Sequence, residues 1–585
     1  MKEDVGRAAR VRVVDDSRLL RQLAAAWLLL PLALLAISRS HADNFTYWLM
    51  VAQNDQLLCV WLAISVLILI PFRHGPSALR LSGAQVALVA LAIGVIGYAG
   101  HYLLLSGYDL SRDEQMADFD AFIYAAGRMV WPLPPIWQAT PGPLNMLFML
   151  PGDHPVAWVS GYLPGNALLR AGFAKLGDAA LTGGVLNAGS VLLVWGCARR
   201  LWPGQTLRDR EAGVIAVVLL VLSGQMVMCG MTAFAMTSHL FCNLLWLWLF
   251  LRDRRRSDWA ALAVGFVGTG LHQPLFHPMF VVPFLVLLLL DRRWDRLALF
   301  AGFYAAATAF WFAYPMLTHG LVTAPHTTTI TAGTSYWTRL TEVLGENHYN
   351  IPIMAANLLH FVVWQHILLI PLLLAGCIAA RYDRMAAALA VGFVLPIMVM
   401  TSIMPYQGHG FGYRYLHGLL GNAALLGGYG WRRLEAWHDR LRPLFVRGSL
   451  ATLLVLMPVQ AWDTHGVYAA YARIDAKIAK VPADYIMLGE HDVPLGLDLV
   501  LNRADLSNRP IRLFDGEIDD ADALAQRICH PAGTRRRIIM ALPTDAFFRD
   551  VMGWYGWLPM GRADRRLAEE TTAYQDGGCQ VLQLR

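Results

Sequence analysis

The residues best suited to chemistry lie in one polar run, Ser111-Arg112-Asp113-Glu114-Gln115-Met116-Ala117-Asp118-Phe119-Asp120. Acids placed just beyond a hydrophobic stretch cost more than Ser or Gln would, which marks Asp113 and Glu114 as candidates for function. Continued to Val130, the run predicts a helix. Met116, Phe119, Ile123, Ala126 and Val130 recur at spacings of 3 and 4 and share a face. Asp113, Asp120 and Tyr124, at i, i+7 and i+11, share a second face roughly 100° around, with Arg128 nearby. An apolar stripe on a segment too polar to span predicts a helix lying in a membrane interface. Its acids then either look into an enclosed cavity or solvate the wet face. The Asp118-Phe119-Asp120 spacing also allows Asp118 and Asp120 to hold a divalent cation, although one D-x-D is an unspecific pattern.

Four further clusters carry polar or aromatic groups suited to recognition. Gly270 to Pro278 is a short turn holding His272, Gln273 and His277. These read either as caps of a rigid turn or as hydrogen-bonding groups for a phosphate or hydroxyls. Gly408 to His417 carries His409, Tyr413, Arg414 and His417. Arg414 needs an anionic partner, which is a phosphate in one reading and Asp113 or Glu114 in the other. Tyr162-Leu163-Pro164-Gly165 closes the loop that begins with the acids, and Thr327 to Trp337 is rich in hydroxyls and ends in aromatics.

The elements that position these residues follow from composition. The chain has 585 residues, 56% of them in the AVILMFWYC set and 15% charged, against roughly 25% charged in soluble proteins. Mean hydropathy is +0.43. The apolar residues fall into thirteen blocks near 20–38, 56–72, 83–105, 180–198, 212–230, 233–251, 257–272, 276–291, 297–317, 357–380, 385–404, 415–430 and 447–463. This predicts a polytopic α-helical membrane protein of about 13 spans. The arginines before the first block, with no small-residue cleavage site, predict a retained anchor. Connections holding Arg73/Arg80, Arg199 to Arg210, Arg252 to Arg256, Arg292 to Arg296, Arg381/Arg384 and Arg432 to Arg442 alternate with arginine-poor ones. The positive-inside rule then puts the N-terminus in the cytoplasm and the C-terminus outside. The formal charge of +6 is explained by these topogenic arginines, and no nucleic-acid partner is expected. The cytoplasmic connections are too short for a domain, and no GxxxxGKS loop is present.

Loops 106–179 and 318–356 and the region from 464 on therefore lie outside. The last changes character. Runs at Leu497–Leu501, Ile511–Phe514, Arg537–Leu542 and Gln580–Leu584 look like strands, with helices near 520–529 and 544–553. A small α/β domain, tethered through a helix near 466–480, is expected there. The division is 1–82 for the N-terminus and two extra spans, 83–463 for the main bundle and 464–585 for the soluble domain. Cys529 and Cys579 are the only cysteines in that domain, where an oxidising compartment would favour a bond.

These features together resemble the GT-C superfamily of integral-membrane glycosyltransferases, in which the protein O-mannosyltransferases and lipid A aminoarabinose transferases fall. The resemblance rests on Asp113-Glu114 early in a long outer loop, Tyr162 to Gly165 closing it, Arg414-Tyr415 opening a late span, and the terminal soluble domain. It spans roughly residues 83–430. It implies a polyprenyl-phosphate sugar donor, a lipid or glycan acceptor and an inverting displacement, which the arginine topology places at the periplasmic face and the short arginine-rich loops in a bacterial inner membrane. It further implies Asp113 as general base with Glu114 as second acid, and Arg414 as phosphate holder assisted by His272 or His277. The chain departs from the pattern in its two extra N-terminal spans, and in reading His-Gln-Pro where relatives show Arg-Pro. A transporter of lipid-linked glycans would instead need polar groups through several spans, for which His360, Gln365 and His366 are the candidates. A non-catalytic assembly protein would make the C-terminal domain the functional part.

Overall fold

The structure is a computed structural model. It describes residues 2–39, 45–70, 76–152, 154–204, 206–323, 350–489, 492–493, 495–530, 537–544, 546–548 and 564–585. The Thr327–Trp337 run lies outside these residues.

Over their described residues, all thirteen apolar blocks are largely helical. The chain opens with α1 (Lys2–Ser38), α2 (Phe45–Ile68) and α3 (Gly83–Leu103). Leu88, Leu91, Val66, Met398 and Leu454 are each more than half exposed, as side chains facing lipid should be. The count of full spans is lower than the sequence suggested. Among the described residues six helices are long and apolar enough to cross a membrane, and five apolar ones are shorter. Part of the difference is length, since Met236–Phe250, Arg255–Thr269 and Phe276–Leu290 are continuous but only 15 residues each, and part lies in breaks. The 212–230 block is two helices, Leu207–Val221 and Gly224–Cys229, with Ser223 capping the second. The 357–380 block is Asn350–Val363 and Leu369–Ala379.

Broken backbone at membrane depth survives only where protein groups replace the lost hydrogen bonds. Here Gln460 Nε2 donates to the Val363 carbonyl at 2.8 Å and Trp27 Nε1 donates to the Ile367 carbonyl at 2.9 Å. The Gln225 amide donates to the Trp364 carbonyl at 3.2 Å. Gln365 Nε2 donates to Gln225 Oε1 at 2.8 Å, and His366 Nε2 lies 3.0 Å from the Ser449 hydroxyl. The polar groups that a transport pathway would need are therefore tied into packing.

The arginine-rich connections meet at one end. Glu211, fully buried, accepts from the Leu79 amide, Trp431 Nε1 and Arg442 Nε, so one carboxylate joins three connections. Arg432 pairs with Asp209 at 2.9 Å and Arg296 with Asp258 at 2.5 Å. The helix Trp294–Val322 runs past 317, which shortens the second outer loop.

At the other end, residues 106–164 pack with the C-terminal domain into a second core. Its strands are β3 (Tyr485–Leu488), β4 (Ile511–Phe514), β5 (Ile539–Pro543) and β6 (Gln580–Leu584), all parallel in the order β4-β3-β5-β6. Two short loop strands, β1 (Trp131–Pro132) and β2 (Ala157–Trp158), pair antiparallel. The predicted strand at Leu497–Leu501 is instead a 3₁₀ turn, Gly496–Leu499, because its carbonyls serve the loop rather than a sheet. Leu497 and Asp498 accept from Asn145 Nδ2 and Gln115 Nε2 at 2.9 and 2.7 Å. The helix Met457–Ile478 passes through residue 464 without a break, and Ala521–Cys529 is helical as predicted. Of 544–553, the described residues 546–548 are helical.

Cys529 and Cys579 are bonded across 50 residues. Loop-closure entropy assigns such a bond about 4 kcal/mol. Replacing both by alanine should make the C-terminal domain of the full-length protein cleavable by trypsin at concentrations that leave the wild type intact. Equal resistance would show that the sheet holds without the bond.

The polar run forms α4 (Arg112–Ala125), and its surroundings differ from the expectation. Met116, Phe119 and Ile123 are buried against Trp158, Leu133 and residues of the C-terminal domain, not laid into a membrane interface. The helix also ends before Val130. Gly127 adopts φ +74°, its amide bonds to the Tyr124 carbonyl, and the Arg128 amide bonds to the Ile123 carbonyl. This is a Schellman ending, which leaves Ala126 exposed.

Candidate active site

The N-terminus of α4 sets the position of Asp113. Ser111 caps the helix, its Oγ accepting from the Glu114 amide while Glu114 Oε2 accepts from the Ser111 amide at 3.0 Å. The Tyr468 hydroxyl donates to the same carboxyl at 3.0 Å. Glu114 is thus a fully buried capping residue that ties α4 to the helix Met457–Ile478. It faces away from Asp113, since adjacent helical positions point about 100° apart. Burial pushes Glu114 up to about 7, the hydrogen bonds from Ser111 and Tyr468 opposing it.

Asp113 lines a partly open cavity with Asp120, Ser160, Tyr162, Asn166 and His272, completed by Met116, Phe234 and Leu271. Its volume is about 20 Å³, room for one water. A sugar enters only when lining side chains move. Arg414 Nη1 donates to Asp113 Oδ2 at 2.8 Å, and the Tyr162 hydroxyl donates to Oδ1. The Tyr162 ring lies 4.2 Å from the His272 ring. Burial raises the Asp113 carboxyl, but Arg414, His272 and the Tyr162 hydroxyl together hold it below its ordinary value. Tyr162 is pushed up by burial and by Asp113, so it stays a donor.

Asp120 faces the same cavity in a different state. It accepts from the Ser160 amide at 3.0 Å and from Ser160 Oγ at 2.5 Å. Burial carries it up to about 7, against these two donors. Its folded value therefore exceeds the unfolded one near 4. The stability this contributes is complete below that value and is lost as pH rises through about 7. The thermal midpoint should fall between about pH 5.5 and about pH 8, and Asp120→Asn should make that fall smaller. An unchanged fall would show Asp120 ionised throughout.

The other candidates are distributed unevenly. Asp118 and Asp120 do not converge, since positions two apart on a helix point about 200° apart. Asp118 pairs with the buried Arg170 at 2.5 Å. Among the described residues no group of three or more His, Cys, Asp or Glu is arranged to hold a metal. His277 is a core residue, its Nδ1 2.7 Å from Asn243 Oδ1 and its Nε2 2.9 Å from the Tyr304 hydroxyl. It therefore cannot assist at the cavity. Gln273 is half-buried in the turn. Tyr124 neighbours Tyr314, and the exposed Arg128 stacks 4.8 Å over Trp131, so neither lines the cavity. His409, Tyr413 and His417 are buried around Arg414's segment, and neither the two rings' nitrogens nor the Tyr413 hydroxyl has a hydrogen-bond partner among the described residues.

Sequence reading missed Ser160 and Gln407. Ser160 lies two residues before Tyr162, and Gln407 Oε1 accepts from the Arg414 amide at 2.7 Å. Nothing in their local spacing distinguishes them from turn residues.

No family model and no curated protein matches the chain. Among solved structures, the chain is similar to ArnT from Cupriavidus metallidurans bound to undecaprenyl phosphate. The TM-score is 0.47 at 14% identity, over 86% of this chain and 90% of that one. For the apo state of ArnT the values are 0.46, 12%, 83% and 90%. For the oligosaccharyltransferase AglB from Archaeoglobus fulgidus, in complex with an inhibitory peptide and a dolichol-phosphate, they are 0.40, 12%, 86% and 69%. With scores below 0.5 and identities of 12–14%, no residue's role is taken from these likenesses.

Proposed function

We propose that the protein is a membrane glycosyltransferase, moving a sugar from a polyprenyl-phosphate donor to a lipid or glycan hydroxyl at the periplasmic face of a bacterial inner membrane. The observation that carries this reading is Asp113 on the wall of a cavity, paired at 2.8 Å with Arg414 behind that wall. A carboxylate engaged with a guanidinium is a poor base. A donor phosphate competes for that guanidinium, which meets Asp113 through Nη1 alone and can offer a phosphate a second donor. Its arrival frees Asp113, whose affinity for a proton rises toward its ordinary value or above it, because burial then acts unopposed.

The reaction balances simply. The acceptor oxygen forms a bond to the sugar's anomeric carbon while its proton passes to Asp113. The bond from that carbon to the phosphate oxygen breaks, and the polyprenyl phosphate leaves with the electron pair. Arg414 offsets the charge gathering on the leaving group. Attack opposite the leaving oxygen inverts the anomeric centre. The unpaired rings of His409 and His417 and the Tyr413 hydroxyl are groups left for phosphate or sugar hydroxyls. Asp120, kept near neutrality by burial, supplies a second hydrogen-bonding carboxyl on the cavity wall.

The test is a mass profile of surface glycans and glycolipids from cells lacking the protein. A species one sugar lighter, restored by the wild-type gene, supports transfer and names the sugar. An unchanged profile removes the proposal. Accumulation of an intact lipid-linked glycan on the cytoplasmic side would point to transport.

A further inference from the structure

The two helices that precede α3 are an addition to the resemblance described above, and one of them reaches the site. On α2, Met50 and Asn54 stand at i and i+4 and therefore share a face. Both are buried. Met50 Sδ lies 3.7 Å from Gln407 Nε2. Asn54 Oδ1 lies 2.5 Å from His360 Nδ1, and Asn54 Nδ2 donates to the Ala356 carbonyl at 3.1 Å. The other ring nitrogen of His360 lies 3.2 Å from the Gly410 carbonyl, the ring's tautomer deciding which contact carries the proton.

Gln407 and Gly410 are the two supports of Arg414. Gln407 accepts from the Arg414 amide through Oε1 and from the guanidinium through its carbonyl, and its Nε2 donates to the Gly412 carbonyl at 3.1 Å. Gly410 lies flat against the Arg414 stem, where a Cβ would come within 2.4 Å of Cδ. Two contacts from one helix face thus end on the two groups that aim Arg414 at Asp113.

We propose that α2 is a positioning element of the site, with Met50 and Asn54 holding the 407–412 turn so that Arg414 meets Asp113. These are positioning residues, acting through Gln407, His360 and Gly410. Their relevance to catalysis rests on Asp113 being the base, but their effect is readable without any substrate. Asp113 is faced by Arg414, His272, Tyr162, Tyr415 and Asp498, and α2 bears only on the first. If the turn loosens, Arg414 withdraws and burial raises the Asp113 carboxyl.

The experiment is an infrared pH titration of the full-length protein in phospholipid nanodiscs, the Asp113 band being assigned by its loss in Asp113→Asn. Asn54→Leu should move the Asp113 midpoint up by about one pH unit. His360→Leu cuts the same path from the other side and should do likewise, which keeps the test alive if one variant does not fold. Trp27→Phe, which removes the α1 contact to Ile367, should leave the midpoint where it is. An unmoved midpoint in either leucine variant, or an equal shift in Trp27→Phe, overturns the proposal. A moved midpoint in a protein whose loss changes no glycan would instead leave the positioning role standing and remove the transferase reading.

Discussion

Asp113→Asn should abolish sugar transfer while leaving the protein in the membrane at its normal level. An amide keeps the size of the side chain and can still accept from the Tyr162 hydroxyl, but it cannot take a proton from the acceptor. Loss of general-base assistance alone costs roughly 10²- to 10⁴-fold in rate. The readout is the glycan profile of null cells complemented with wild type or variant at matched membrane content. Full rescue by the variant would reduce the acid to a partner of Arg414. Glu114→Gln serves as the contrast. It should act through stability, because Glu114 is committed to the helix cap and to Tyr468.

Arg414→Gln has the second large effect, and it separates the arginine's two jobs. Removing one partner of a buried pair strands the other charge, which typically costs 3–5 kcal/mol. Asp113 keeps 21% of its side-chain exposure, so about 3 kcal/mol is expected here. The sign with pH also changes. In the wild type the Asp113 value is depressed, so its contribution to stability is present above the unfolded value and lost as pH falls through the folded one. Without Arg414 burial raises the carboxyl, and stability should instead decline as pH climbs from about 4 through the new folded value. The double variant Asp113→Asn/Arg414→Gln removes both charges and should recover most of the stability, measured as a thermal midpoint in detergent. It should recover none of the activity. Transfer by Arg414→Gln alone should fall about 100-fold through loss of charge stabilisation on the leaving phosphate. A single variant as stable and as active as the wild type would show that the pair is incidental.

Much of the architecture is written locally. Each apolar block becomes helical because twenty or so nonpolar residues allow little else in lipid, and the arginines gather at one end because crossing is costly. The acidic helix was legible from its spacing, whereas the capping box that Ser111 and Glu114 form at its start was not read from it. The pairing of Arg414 with Asp113 stood among the alternatives, since a lone arginine on an arginine-poor face needs an anion.

What local pattern could not show was decided by contacts between distant residues. Periodicity identifies an apolar face without saying whether lipid or protein covers it, so the stripe of Met116, Phe119 and Ile123 reads the same against a membrane as against Trp158 and the C-terminal core. His272 and His277 are near neighbours in one motif, yet one lines the cavity and the other is held between Asn243 and Tyr304. Helix breaks at 364–368 depend on Gln460 and Trp27, nearly 100 and more than 300 residues away. Met50 and Asn54 look like stray polar and flexible residues in an added helix until the fold sets them against Gln407 and His360. A sequence of this kind determines that its apolar blocks are helical and which reactive residue types it carries. Only tertiary packing decides which of those residues share a cavity, because that depends on which buried polar group finds which partner.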